Sequence, residues 1–199
     1  MTKIEQLDIL KTEVLSCNKC KLSNTRNKVV FGEGNPDEGI LLIGEGPGAE
    51  EDKTGRPFVG RSGQLLDKML EAAGFNRKEH VFIANIVKCR PPQNRTPEPD
   101  EREACLPYLH KQIEIIDPKI IVLLGATALK LLDEKVKLKE VKGEWIMWNG
   151  KVLIPTYHPS ALLRNPNFKK EAWEHIKKVF FKYREIINPN HTSPHIPIK

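Results

Sequence analysis

This chain of 199 residues is defined first by what it lacks. No apolar run is longer than five residues, the longest being Ile120 to Leu124, so no segment is long enough to span a bilayer as a helix. The stretch Met1 to Lys11 mixes Lys, Glu, Gln and Asp with apolar residues and carries no signal-peptide hydrophobic region, so a cytoplasmic protein with no membrane partner is expected. The glycosylation triplet Asn190-His191-Thr192 is then coincidental. There is no internal repeat and no low-complexity segment, which excludes a solenoid or a disordered linker. Acidic charge is in the minority: 32 Lys+Arg against 26 Asp+Glu leaves a net +6, which suits an anionic partner such as nucleic acid without requiring one. Hydrophobic residues at 39% and charged residues at 29% are those of a folded globule. A chain of this length forms one domain that buries roughly 70% of its unfolded surface.

Cysteines are few, yet they are the most informative residues. Cys17 and Cys20 form a Cys-x2-Cys pair, followed far along the chain by Cys89 and Cys105. Structural disulfides are disfavoured in a cytosolic chain, so the pair points to metal or redox chemistry. A thioredoxin-type pair would lie between a strand and a helix, whereas Cys17 and Cys20 follow a short amphipathic helix marked by Ile4, Leu7, Leu10 and Val14. Four thiolates make a closed site for zinc or for an iron–sulfur cluster, and spacing does not separate the two.

Four strand-length apolar runs recur along the chain: Ile40–Ile43, Val81–Val87, Ile120–Leu124 and Val152–Tyr157. Continuous rather than alternating apolar character is what a strand covered on both faces requires. Helical segments separate them, at Gly63 to Ala73, Asp100 to Ile116 and Thr127 to Leu132, with a last helix from Phe168 to about Ile186 whose aromatic stripe belongs to the core. The expected class is α/β, a three-layer αβα sandwich around a mostly parallel sheet of four strands. Residues 1–187 form the single domain, with an N-terminal cysteine-bearing segment, and residues 188–199, which include three prolines, form a loose tail. The alternating lysines of Lys135 to Lys142 read as a solvated edge strand or loop.

In an open α/β sheet, ligands bind beyond the carboxyl ends of the strands, and three of these strands end in unusual residues. After the first comes Gly44-Glu45-Gly46-Pro47-Gly48, where the glycines let backbone approach a ligand closely. It is neither a Walker loop nor a dinucleotide fingerprint, and the nearby acids Glu45, Glu50, Glu51 and Asp52 argue against a phosphate. Asn85 interrupts the second apolar run; its amide offers a donor beside an acceptor, the pattern that reads a planar imide, although a bonded core Asn would look the same. His158 follows the fourth strand and precedes Pro159, which displays it as the best candidate for chemistry. Leu162 and Leu163 beside Arg164 form an apolar wedge next to a cation, or an ordinary loop packed on the core. With Phe58 in a loop, the set suits a pocket for an extruded base.

These residues carry a resemblance. Gly44-Glu45-Gly46-Pro47-Gly48 with Gly55-Arg56-Pro57-Phe58-Val59-Gly60, then Asn85-Ile86-Val87-Lys88-Cys89-Arg90-Pro91-Pro92-Gln93-Asn94-Arg95, then His158-Pro159-Ser160-Ala161-Leu162-Leu163-Arg164 are similar to the motifs of the family-4, iron–sulfur uracil-DNA glycosylases of bacteria and archaea. The similarity runs from Leu7 to about Lys182. It implies an enzyme of base excision repair that flips uracil out of single- or double-stranded DNA and hydrolyses its N-glycosidic bond, leaving an abasic site.

Carried over by position, the resemblance implies one 4Fe–4S cluster on Cys17, Cys20, Cys89 and Cys105. Phe58 would stack on uracil, Asn85 would bond its N3/O4 edge, and His158 would bond O2. The backbone of Gly44 to Gly48 would hold base and water, with Glu45 and Asn94 helping to place the water. Gly46 stands where family-1 enzymes have a water-orienting Asp. Lys88, Arg90 and Arg95 would meet phosphates, and Ser160, Leu162, Leu163 and Arg164 would contact DNA and fill the space left by the flipped nucleotide. No His-bearing basic insert follows the second motif, so turnover rather than covalent trapping is expected. The protein is expected to act as a monomer; no motif supports recruitment by a sliding clamp. Two other readings compete: an inactive iron–sulfur DNA-binding module, and a zinc-bound structural protein.

Overall fold

A computed structural model of the chain describes residues 1–198; Lys199 lies outside it. The strands are β1 (Glu33–Gly34), β2 (Ile40–Gly44), β3 (Phe82–Asn85), β4 (Ile120–Leu124), β5 (Ile146–Trp148) and β6 (Lys151–Thr156). The helices are α1 (Lys3–Leu15), α2 (Ala49–Thr54), α3 (Arg61–Ala72), α4 (Pro99–Ile116), α5 (Leu138–Val141), α6 (Pro159–Arg164) and α7 (Lys169–Ile186). All six strands form one sheet in the order β1-β3-β2-β4-β6-β5.

The four apolar runs are the parallel centre of this sheet, β3-β2-β4-β6. Two short antiparallel strands, β1 on β3 and β5 on β6, extend it to six. The expected four-stranded sheet is corrected to that extent. Two- and three-residue strands carry too little pattern to announce themselves, and Met147 in β5 is 70% exposed, as an edge permits. The lysine-rich stretch turns into α5 instead of supplying the edge.

Strand alternation divides the core. Leu41, Ile43, Ile121 and Leu123 face α1 and α4, while Ile40, Leu42, Ile120 and Val122 face α3 and α7. These are the two helical layers of an αβα sandwich. Leu66 and Leu70 of α3, with Ile176, Val179, Phe180 and Tyr183 of α7, close the second layer; full burial of each such side chain contributes about 1.5–3 kcal/mol.

Residues 188–198 are not loose. His191 and Ile196 are buried, the His191 ring stacks on Phe75 at 4.5 Å, and the Ser193 hydroxyl donates to the Ala72 carbonyl at 2.8 Å. Prolines stiffen a segment that apolar anchors then fasten to the end of α3.

Register decides what meets at the carboxyl edge. Gly44 pairs with Asn85 across β2 and β3, and Leu124 pairs with Thr156 across β4 and β6. The chain moves from β2 outward to β3 and then returns to the other side as β4, so strand order switches between β2 and β4. A crevice opens there, where doubly wound sheets bind ligands.

Candidate active site

A cleft of about 1000 Å³ runs along this carboxyl edge, lined by the Glu45–Gly48 turn, Phe58, Asn85, Thr127, His158, Ser160 and Arg164 among others. At its floor, Asn85 is 2% exposed, and its Oδ1 is buried with no hydrogen-bond partner in the protein. An orphaned buried carbonyl costs about 1–3 kcal/mol. Such a group is retained where a ligand completes it.

Close packing holds that floor. A Cβ on Gly44 would lie 2.5 Å from Asn85 Oδ1 and 2.6 Å from the Phe58 ring, so only glycine admits both. Phe58 is buried at φ +50°, a left-handed backbone that a bulky residue adopts at a cost. Arg77 holds it there, donating from Nη1 to the Phe58 carbonyl at 2.7 Å, while Gly63 in α3 leaves room for that carbonyl.

His158 caps α6 and faces Phe58 with ring centres 5.5 Å apart. The Ser160 N–H donates to its Nδ1 at 3.1 Å, and the Ser160 Oγ lies 2.8 Å from the same nitrogen. Nδ1 is therefore an acceptor, which assigns the proton of the neutral ring to Nε2. Burial, then the charge of Arg164, pushes the imidazole pKa down to about 4 against the opposing pull of Glu51. The ring is a neutral Nε2–H donor at physiological pH.

Glu45 extends into the cleft, one carboxylate oxygen accepting a hydrogen bond from the Thr127 hydroxyl. A Cβ on Gly46 would lie 2.7 Å from a Val87 methyl, so position 46 has no room for a water-orienting side chain. Asn94 lines the cleft at φ +55°, its Oδ1 accepting from Arg90 Nε at 2.9 Å. Glu51 also lines the cleft; its Oε1 accepts the N–H groups of Val59 and Gly60, both at 2.9 Å. Asp52, 1% exposed, receives the N–H of Asn27. Glu51 thus staples the Phe58 loop, and Asp52 the segment at Asn27 and Lys28.

Several expected DNA contacts are corrected. Lys88 is 1% exposed, its ammonium bonded to the Asn85 carbonyl and to Gln112, so it meets no phosphate. Leu162 is likewise 1% exposed, packed with Tyr157 and Ala172 because α6 turns it inward; the wedge reduces to Leu163 and Arg164, both exposed. Ser160 spends its hydroxyl on His158. Arg95 holds Glu101 with both arms of its fork, at 2.8 and 2.7 Å, so its charge is internally matched. Arg90 stays half-buried at the rim. Thr127 and Arg61, an exposed cation at the cleft, are additional residues that the sequence does not single out, each a common type near a helix start with no local signal; Glu51 reads from sequence only as one of an acidic run.

The four cysteines line one small cavity on the other face of the β3 end, walled by Val14, Leu22, Val87 and Tyr108. Burial pushes Cys105 up to about 11 and raises Cys89. Arg26 Nη1 donates to Cys89 Sγ at 3.2 Å, and the Lys88 N–H donates to Cys105 Sγ at 3.3 Å. Among the described residues no three His, Cys, Asp or Glu side chains gather tightly enough for a single metal ion. Four soft sulfur donors around one apolar cavity, two of them receiving N–H groups, are the donor set that an iron–sulfur centre takes.

Comparison with known proteins agrees with this geometry. The model of the uracil DNA glycosylase superfamily matches residues 31–177. A type-4 uracil-DNA glycosylase of Thermotoga maritima is 54% identical over 167 residues, covering 82% of this chain and 86% of that one. Type-4 uracil-DNA glycosylases of Saccharolobus solfataricus and Sulfurisphaera tokodaii are 47% and 46% identical, each over 88% of this chain and over 86% and 84% of their own lengths. Cleft, strand-end residues and relatives agree, and the chain belongs to the uracil DNA glycosylase superfamily, within its type-4 uracil-DNA glycosylases.

Proposed function

We infer that the protein is a monofunctional uracil-DNA glycosylase that initiates base excision repair of deaminated cytosine. The observation that carries this reading is the buried, unpartnered Oδ1 of Asn85 beside the Phe58 ring and the Nε2–H of His158. An inactive DNA-binding module would have no use for that arrangement, and the relatives are named as glycosylases.

A flipped uracil stacks on Phe58, with Asn85 Oδ1 accepting N3–H and the amide N–H donating to O4. His158 Nε2–H donates to O2. As the N1–C1′ bond breaks, its electron pair moves onto the uracil ring, and the bond to O2 strengthens as charge accumulates there. Water adds to C1′ on the opposite face, held by the Gly44–Gly48 backbone with Glu45 and Asn94. Glu45 takes its proton, since position 46 cannot carry a base. Glu45→Gln therefore slows single-turnover excision about 10²-fold, with DNA affinity unchanged; a rate within threefold of wild type removes Glu45 from the proton path.

Leu163 fills the vacated stack while Arg164, Arg61 and Arg90 meet the strand. Cys17, Cys20, Cys89 and Cys105 hold one 4Fe–4S cluster, which when bound supplies a cross-link between the N-terminal segment and the β3–α4 region. The protein acts as a monomer on uracil-containing DNA in the cytoplasm. No helix among the described residues is long and apolar enough to cross a membrane.

A single-uracil oligonucleotide incubated with the protein, treated with alkali and run on a denaturing gel tests the reading. A cleaved band at the uracil is expected. An intact band from folded, cluster-loaded protein overturns it, and a slow band stable to denaturant indicates covalent trapping instead.

A further inference from the structure

Lys88 is the most anomalous residue outside the cleft. It is a lysine 1% exposed, and burying an ammonium is expensive unless every donor finds purpose. Its Nζ donates to the Asn85 carbonyl at 2.8 Å and to Gln112 Oε1 at 2.6 Å. Gln112 in α4 is itself fully buried and is anchored by donating from Nε2 to the Phe31 carbonyl at 2.9 Å. The backbone N–H of the same lysine donates to Cys105 Sγ, and Cys89 is its neighbour in sequence. One residue thus touches the uracil-reading strand end and the four-cysteine cavity.

Asn85 needs such support. Its Oδ1 has no protein partner, so the aim of its amide depends on where the backbone is held. Pairing with Gly44 fixes one side of that backbone; among the described residues, Lys88 is the one side chain bonded to its carbonyl. A methionine or leucine would fill the same space without the desolvation cost, so packing alone does not account for a lysine.

We propose that Lys88 is a positioning residue for uracil recognition, holding the Asn85 main chain through the Lys88–Gln112–Phe31 network and tying its pose to the four-cysteine centre. The proposal rests on Asn85 being the residue that reads uracil. The ammonium supplies a fixed donor to the Asn85 carbonyl, and the backbone N–H of the same residue reaches Cys105 Sγ in the four-cysteine cavity. Displacement of the Asn85 backbone by a fraction of the amide's reach would misalign both bonds to the base at once.

The test is a double-mutant cycle on the cluster-loaded protein, using Lys88→Met, Asn85→Ala and the pair. Visible absorption per chain reads retention of the centre; single-turnover excision and inhibition by free uracil read the pocket. Lys88→Met is expected to keep the absorption, to slow excision about 10²-fold and to weaken free-uracil inhibition in parallel. In the Asn85→Ala background the same change should cost less than about threefold, because the residue it positions is gone. Multiplying losses, or wild-type excision by Lys88→Met, overturn the proposal. Should Lys88→Met fail to load its centre, Gln112→Met carries the same cycle, with a loss of about tenfold that also vanishes without Asn85. If Asn85→Ala alone excises at the wild-type rate, it is the reading of Asn85 that fails, and the proposal falls with it.

Discussion

His158→Ala lowers the single-turnover rate of uracil release by about 10²–10³-fold while changing affinity for uracil-containing DNA by less than about threefold. The reason is the timing of the bond. In the ground state O2 is an ordinary carbonyl oxygen, and one donor to it adds little to binding. As the glycosidic bond breaks the ring becomes an anion, and a donor already in place, in a cleft away from bulk water, stabilises it without reorganisation. Ser160 makes that donor ready: its N–H occupies Nδ1 at 3.1 Å and leaves the proton on Nε2. A second consequence concerns pH. The folded-state pKa of His158 lies near 4, below the ordinary histidine value of 6.5, so the imidazole is neutral through pH 5 to 8. Excision should show no histidine titration in that window and should fall only as pH approaches 4, when protonation of Nδ1 sets it against the Ser160 N–H. The stability sign follows from the same shift. Between pH 6.5 and 4 the unfolded chain binds a proton that the folded site refuses, so this residue contributes nothing unfavourable above 6.5 and destabilises increasingly as pH falls. Rates across pH 4–8 check this; loss of activity as pH falls through 6.5 would mean a histidine with an unshifted pKa, and loss as pH rises through 6.5 would mean the ring works as imidazolium.

The same contrast between local and long-range information explains which parts of the molecule the residues announce in advance. Strands β2, β3, β4 and β6 are legible because a strand buried on both faces must be apolar without interruption, and Asn85 is legible as the interruption. The cysteines are legible as a set because no other use for four cytosolic thiols at that spacing is common. Lys88 reads as a surface cation since its justification is Gln112, 24 positions away in α4. Leu162 reads as part of an exposed wedge because nothing local marks a six-residue helix that rotates it inward and Leu163 outward. Thr127 is invisible for a similar reason: its partner Glu45 lies 82 positions earlier, brought close only by strand order. His191 and Ser193 sit among prolines that suggest a free tail, and their anchoring is a property of Phe75 and of the Ala73 and Ala72 carbonyls. In each case the missing term is a tertiary partner rather than a local preference.

Asn85→Leu separates stability from function. In the folded protein Asn85 Oδ1 is desolvated and unpaired, which costs about 1–3 kcal/mol relative to a satisfied group. Leucine has the same branched outline of four side-chain heavy atoms, brings no polar atom, and sits among Gly44, Phe58 and Ile86, so it removes that penalty. A gain of about 1 kcal/mol corresponds to a rise in Tm of about 2–4 °C for a domain of this size. Uracil, however, then enters a site that cannot accept N3–H or donate to O4, leaving two polar edges of the base desolvated and unpaired. Sites built to hydrogen-bond their substrate lose about 10⁴-fold or more when those bonds cannot form, so excision by Asn85→Leu should fall by at least that order. The decisive measurement is both numbers on one sample, Tm by thermal denaturation and rate by single turnover. A variant that loses activity and stability together would assign Asn85 an ordinary structural role, bonded in solution by something other than a base. A variant that becomes more stable as it becomes inactive shows the signature of a residue kept for its ligand: the folded chain carries an unpaired carbonyl because an extruded uracil pairs it.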